Sequence, residues 1–478
     1  MFRFLHRWWT RRCGGREVLA LALPLFVSTM SNMVMMFIDR MFLTWYSTDA
    51  VAAAMPAFLI CFCVGCLPMG VAAYANTFVA QYVGAGRPRQ IGPVVWQGIW
   101  IGVLATPVLI ATAALARLPF TLAGHEPAIV ELEATCYRIA IFGGGAMIIA
   151  AAQASFFTGI GSTRIVMLVE CSAALLNVLL DWAWIFGHFG FPALGIAGAA
   201  LATTVAEWVR VGVYLAIMMR PKYRMYRLTD GWRWDGPLMR RLWRFGGPGG
   251  LQWLVETGSF TVFIMLVGGL GPLAMVGTNL AFNVNSVAWV PMMGLGIAVS
   301  TLVGQQLGRN RPDLAARATW TSLVMAQAYM GTMSLCYVLV PDWFLKGHAA
   351  GMAPEEFARV ERVIVVLLRF VAVYCLFDAM NVIFVSAIRG AGDMRFVLKT
   401  TVIMSILPVA AVWIGVRGFG LGLLWCWSVI TVWGCLLGLI YLGRFLQGRW
   451  RTMRVIEPEL EPEPLRRNAQ CEKCPRGD

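Results

Sequence analysis

Gln81-Tyr-Val-Gly84-Ala-Gly-Arg87-Pro88 returns 224 residues downstream as Gln305-Gln-Leu-Gly308-Arg-Asn-Arg311-Pro312. Pro24 and Pro248 share that offset, and Pro68 and Pro291 match it to within one residue. Further on, Gly159-Ile-Gly161-Ser-Thr-Arg164 is echoed by Gly390-Ala-Gly392-Asp-Met-Arg395 at an offset of 231. Chance supplies any one of these matches, but not four in the same order. The chain is one unit written twice.

Each unit is built of apolar runs. Of the 478 residues, 59% are apolar and 13% charged, with a mean hydropathy of +0.69. A soluble domain carries about 45–50% apolar and about 25% charged residues. The excess comes in runs rather than alternations, and a hydrocarbon core of about 30 Å takes roughly 20 apolar residues per helix. Twelve such spans fill nearly the whole chain, so the fold class is an all-α polytopic membrane protein with two six-helix lobes. The expected organisation is a basic N-tail over 1–17, an N-lobe over 18–218 and a linker over 219–245. A C-lobe over 246–445 and a disordered tail over 446–478 complete it. Within the linker, Asp235-Gly-Pro-Leu-Met-Arg-Arg-Leu-Trp-Arg reads as a short amphipathic helix at the membrane surface.

Six helices is an even number, so the two units share one orientation, as parallel repeats do. The net charge of +14 follows topology rather than nucleic-acid binding. On the side of the N-tail, the tail and loops through residue 454 hold 25 lysines and arginines. The other side holds 4, namely Arg117, Lys346, Arg359 and Arg417. The positive-inside rule then places both termini in the cytoplasm. The first apolar run is too long for a signal peptide and has no A-x-A site after it, so it reads as an uncleaved span.

Cysteine carries little. Cys61, Cys63, Cys66, Cys375 and Cys426 fall inside spans, where a thiol behaves as a small apolar residue. Cys471 and Cys474 form a lone C-x-x-C, and a metal there lacks two further ligands. No metal or cofactor is expected. Trp8, Trp9, Trp243 and Trp450 read as membrane-interface anchors.

Function is to be sought among the acids inside the spans, since an ionisable side chain costs roughly 2.5–3.5 kcal/mol at a helix centre. Those acids are Asp39, Glu170, Asp181, Glu207, Glu256 and Asp378. Asn177 and Asp181 stand four residues apart on one helix face, and Asp39 meets them if the first and fifth helices pack together. Thr203, in the small-residue run Gly198-Ala-Ala-Leu-Ala-Thr, adds a hydroxyl from the sixth. This set offers only oxygen ligands, suited to a hard monovalent cation or a proton. In the second half, Glu256 follows Gln252 by one turn, and Asp378 follows Tyr374 by one turn. Two buried carboxylates brought close do not both ionise cheaply. Glu207 pairs locally with Arg210, three residues on, which snorkels from near the cytoplasmic end of the helix. Glu170, on the face of Asn177, can extend a proton path inward.

At these residues the sequence resembles the multidrug and toxic compound extrusion (MATE) family of cation-coupled antiporters. The matching stretches are Phe37-Ile-Asp39, Asn177-Val-Leu-Leu-Asp181-Trp-Ala-Trp-Ile-Phe, Gly198-Ala-Ala-Leu-Ala-Thr203, Pro248 to Glu256, and Tyr374-Cys-Leu-Phe-Asp378 with Arg389-Gly-Ala-Gly-Asp393. The resemblance spans roughly 16–445. It implies a V-shaped pair of bundles that exports lipophilic organic cations in exchange for Na⁺ or H⁺. The NorM-like branch places cation coupling on Glu256, Tyr374 and Asp378; the DinF-like branch places it on Asp39, Asn177, Asp181 and Thr203. Both sets are present, and Glu256 with Asp378 favours the NorM-like branch. The expected setting is a bacterial inner membrane, with the chain acting as a monomer on small organic cations.

Two rival readings fit the residues less well. A flippase for lipid-linked sugars shares the two-lobe logic but presents basic residues in its cavity, whereas the charges here are mainly acidic. A membrane-embedded enzyme needs a nucleophile–base pair or a metal set. All four histidines (His6, His125, His188, His348) lie in the tail or loops, and no H-E-x-x-H, G-x-S-x-G or Walker motif occurs.

Overall fold

The computed structural model describes residue 6, residues 8–349 and residues 354–457. Among them are twelve helices long and apolar enough to cross a membrane. The N-lobe holds α1 (Gly15–Tyr46), α2 (Thr48–Gly84), α3 (Pro88–Leu115), α4 (Pro127–Gly159), α5 (Thr163–Phe186) and α6 (Ile196–Met218). The C-lobe holds α7 (Gly236–Gly268), α8 (Pro272–Gly308), α9 (Pro312–Leu339), α10 (Arg359–Ala391), α11 (Met394–Gly418) and α12 (Leu423–Leu446).

Helix starts follow local chemistry. The Ser47 side chain accepts the Ala50 N–H at the head of α2, and Asp235 accepts that of Leu238 at the head of α7. Proline opens α4, α8 and α9, where its missing N–H costs nothing. Internal prolines (Pro24, Pro68, Pro248, Pro291) stay inside helices because neighbouring helices re-satisfy the freed backbone.

Two sequence expectations change. The linker segment 235–244 is not a separate surface helix, because α7 runs unbroken from Gly236 through Pro248 into the seventh span. Its Gly246 and Gly250 pack against the α2 backbone at Val71 and Leu67, and that close contact carries the helix past a run of helix-weakening residues. At the other end, the chain stays packed beyond 446. A short 3₁₀ turn spans Arg449–Thr452, and Trp450 stacks on Phe445 at 4.8 Å. With 2% exposure, Trp450 is a packing residue rather than an interface anchor. Cys471 and Cys474 lie outside the described residues.

The repeated motifs meet one another. Gln81 Nε2 donates to the Gly390 carbonyl at 3.0 Å, and its counterpart Gln305 Nε2 donates to the Gly159 carbonyl at 2.9 Å. Gly84 and Gly308 make the same approach in mirror fashion: a Cβ on Gly84 falls 2.0 Å from the Gln305 carbonyl oxygen, and one on Gly308 falls 2.1 Å from that of Gln81. Only glycine fits either position. Tyr74 Oη donates to the Arg389 carbonyl at 2.9 Å, and Asn76 Nδ2 donates to Thr301 at 3.1 Å. The C-terminal strap joins this seam, with Val455 N–H donating to Gln81 Oε1 at 2.8 Å and Tyr82 Oη donating to Glu457 at 2.7 Å. Every cross-lobe hydrogen bond among the described residues lies in the half of the molecule that carries both termini.

Candidate functional site

Away from the seam, α1, α5 and α6 converge on one polar cluster. Asn177 and Asp181, one turn apart on α5, are both 0% exposed. In the amide orientation its neighbours require, Asn177 donates to Asp181 Oδ2 at 3.1 Å and to Asp39 Oδ1 at 3.1 Å. Its oxygen accepts the Thr203 N–H at 3.2 Å. The Thr203 hydroxyl donates back to the Ala199 carbonyl at 3.0 Å. All four sequence-predicted N-lobe residues therefore sit in one hydrogen-bonded group.

One turn further along α1 and α5, aromatic rings close over it. Phe42 lies 5.7 Å from Trp182 and 5.8 Å from Phe186, and Trp182 stacks on His188 at 4.6 Å. Asp181 Oδ1 is buried and accepts no hydrogen bond.

Glu170 belongs to a different set, two turns nearer the termini. Its carboxylate accepts from Arg210 Nη1 at 2.8 Å and from Tyr214 Oη at 2.9 Å, while Asn32 of α1 reaches it at 3.5 Å. The expected local pair of Arg210 with Glu207 is present, but the same guanidinium also holds Glu170 across helices. Arg210 is thus a buried junction between two carboxylates, not a residue snorkelling at a helix end.

The C-lobe is arranged differently. No hydrogen bond joins Glu256, Tyr374 and Asp378 to one another among the described residues. Gln252 Nε2 donates to Glu256 Oε1 at 2.7 Å, and Asn381 Nδ2 donates to Asp378 Oδ1 at 3.2 Å. Tyr374 Oη accepts from Asn285 of α8 at 2.8 Å, and Asn285 Oδ1 in turn receives the Cys375 thiol at 3.4 Å. Glu256 is exposed and Asp378 half-buried.

Sequence reading missed Asn381, whose amide holds Asp378, and Asn285, whose amide holds Tyr374. It also missed Arg389 of α10, which lies within electrostatic reach of Glu256 and has a buried Nε with no partner. Asn381 was findable from its i, i+3 spacing to Asp378. Asn285 and Arg389 reach the cluster only through packing of separate helices.

Two six-helix lobes, sealed together at one end and carrying carboxylates in each interior, define a membrane carrier. The MatE family model matches residues 24–183 and 248–414, one stretch in each lobe and starting at the two related prolines. The chain belongs to the MatE family. It is 26% identical over 390 residues to "Probable multidrug resistance protein NorM" of Brucella suis biovar 1 (strain 1330), covering 80% of this chain and 83% of that protein. The protein of the same name from Thermotoga maritima is 24% identical over 449 residues, covering 93% and 95%. This chain is a NorM-like transporter of the family. Its fold matches an outward-facing multidrug resistance MATE family transporter with a TM-score of 0.82 at 16% identity, covering 92% of this chain and 96% of that one. A eukaryotic MATE transporter matches at 0.81 and 19% identity, covering 91% and 96%.

Proposed function

We propose that this protein exports lipophilic organic cations in exchange for Na⁺ or H⁺, working as a single chain in a bacterial inner membrane with both termini in the cytoplasm. The observation that carries this reading is the pairing of a sealed seam at the termini-bearing end with carboxylates held in the interior of both lobes.

Chemistry and geometry divide the work. Glu256 and Asp378, each hydrogen-bonded through one oxygen, keep their other oxygens for a proton or a monovalent cation, and Tyr374 borders them. Lipophilic cations compete for the same negative charge. Asp39 and Asp181, bridged by the Asn177 amide beside Thr203, form a second cation or proton site, bordered by Phe42, Trp182 and Phe186. Neutralising both sites lowers the cost of exposing them to the membrane as the lobes rock, since an uncompensated charge costs roughly 2.5–3.5 kcal/mol. Glu170, tied to Arg210 and Tyr214, reads as a structural acid rather than a proton relay. No resident cofactor enters this scheme; the coupling ion is cargo.

The test is ethidium efflux from preloaded vesicles, driven separately by imposed Na⁺ and H⁺ gradients, with wild type beside Asp378→Asn. The expected result is efflux that follows one gradient and is abolished in an inserted, folded Asp378→Asn protein. Normal efflux by that variant removes the C-lobe assignment. Absence of efflux under both gradients in wild type removes the organic-cation reading.

A further inference from the structure

Outside the carboxylate sites, one strongly cationic cavity stands out. Its volume is about 310 Å³, and it is lined by Arg12, Gln306, Arg309, Arg311 and Leu314. Arg12 comes from the arm that leads into α1 of the N-lobe; the other four come from the corner between α8 and α9 of the C-lobe. The cavity therefore straddles the two lobes at the termini-bearing face, beside the seam.

The corner is built to present cations. Asn310 adopts a left-handed conformation (φ 58), one that asparagine tolerates well, and the tight turn brings Arg309 and Arg311 to one cavity. Arg317, Arg309 and Arg12 all act electrostatically on the Cys13 thiol, so they crowd one small region. None of Arg12, Arg309, Arg311 and Arg317 forms an ion pair among the described residues. The acids of these elements are Glu17, whose carboxylate accepts the Cys13 N–H at 2.6 Å, and Asp313 in the first turn of α9. They leave the region with a clear positive excess. Gln306 adds an amide that is 2% exposed and whose Oε1 has no partner.

Position selects the ligand. The cavity lies level with the ends of α1, α8 and α9, where lipid headgroups sit. Trp8 and Trp9 pack over Gly15 next to it, and Trp9 stays 39% exposed, as an indole at the headgroup level does. Guanidinium groups match phosphate oxygens in bidentate fashion, and basic pockets between membrane helices hold anionic headgroups.

We propose that this cavity binds the phosphate of an anionic phospholipid headgroup, gripped by Arg12 from one lobe and by Arg309 and Arg311 from the other. Because its ligands come from both lobes, a bound headgroup ties the seam shut and favours the state closed at this face. A free phosphate ion shares the chemistry, and the experiment separates the two sources. The site is independent of which cation is exported.

The full chain is reconstituted in phosphatidylcholine nanodiscs with or without phosphatidylglycerol, and bound lipid and thermal midpoint are read. Wild type is expected to retain phosphatidylglycerol and to melt higher with it. Arg309→Gln with Arg311→Gln is expected to weaken that binding about fivefold per arginine removed. Arg12→Gln, a milder change on the other lobe, is expected to weaken it about fivefold. Arg220→Gln with Lys222→Gln, basic residues that do not line the cavity, is expected to leave it unchanged. Equal retention by wild type and both cavity variants overturns the site. Inorganic phosphate, added to pure phosphatidylcholine discs, is expected not to raise the midpoint; a rise equal to that from phosphatidylglycerol overturns the lipid assignment.

Discussion

In the N-lobe, Asp39 and Asp181 share the amide of Asn177, which is itself 0% exposed and roofed by aromatic rings. In the C-lobe, Glu256 and Asp378 each bond an amide on their own helix, and Glu256 is exposed. The two copies carry their acids at different repeat positions, on α1 and α5 in one lobe and on α7 and α10 in the other, linked through an amide in the first and unlinked in the second. The cause lies in where the partners stand. Each of these amides sits about one turn from an acid on its own helix, but Asn177 also reaches across from α5 to Asp39 of α1, whereas Gln252 and Asn381 each bond one acid. The linked pair is expected to respond as a unit and the unlinked pair as two groups coupled only weakly through space.

The largest expected effect sharpens the contrast in how charge is tolerated. Arg210 holds Glu170 and Glu207 together inside the N-lobe, with 13% exposure of its own side chain. Arg210→Met strands two buried carboxylates and is expected to cost about 3–5 kcal/mol. The check is thermal unfolding of the detergent-solubilised protein, and a midpoint within a degree or so of wild type contradicts the junction.

A smaller effect tests the unit-against-pair distinction directly. A double-mutant cycle of Asp39→Asn with Asp181→Asn, read as apparent affinity for the driving cation, is expected to show a coupling of about 1–2 kcal/mol. The same cycle with Glu256→Gln and Asp378→Gln is expected to stay below about 0.5 kcal/mol. Equal couplings in the two lobes erase the comparison.

The smallest effect concerns the seam, where the copies match most closely. Gln81 makes two cross-links, to the Gly390 carbonyl and from Val455 N–H, while Gln305 makes one, to the Gly159 carbonyl. Gln81→Ala is expected to destabilise the closed seam by about 1–1.5 kcal/mol and Gln305→Ala by about half that. Spin-label distances between the lobes on the termini-bearing face report the shift. A larger opening in Gln305→Ala than in Gln81→Ala reverses the order and removes the strap from the latch.

Much of this was legible beforehand. The twelve spans were legible because hydrophobic length and helix-capping chemistry are local, although α7 begins at Gly236, ten residues before the expected start of the C-lobe. The N-lobe cluster was legible for a similar reason: Asn177 and Asp181 share a face by spacing alone, and an acid inside the first span needs company. Arg210 was misread as a snorkelling residue because its second partner, Glu170, stands 40 residues away on another helix. Tyr374 bonds Asn285, 89 residues away, and periodicity within one helix carries no information about such a neighbour. The tail from 446 read as unstructured because it is polar and short of apolar residues. Val455 nevertheless finds a place in the seam and Trp450 one against Phe445 of the C-lobe, with 1% and 2% exposure.

By itself, then, the sequence determined the class of molecule: a duplicated, twelve-helix membrane carrier with acids inside both halves. Those properties follow from composition, length and repetition, each of which is a sum over neighbouring residues. Tertiary structure alone decided what the repeated Gln-x-x-Gly motifs are for and which acids act together. Both depend on helices distant in the chain pressing backbone to backbone, and there a glycine or an amide counts only through what it meets.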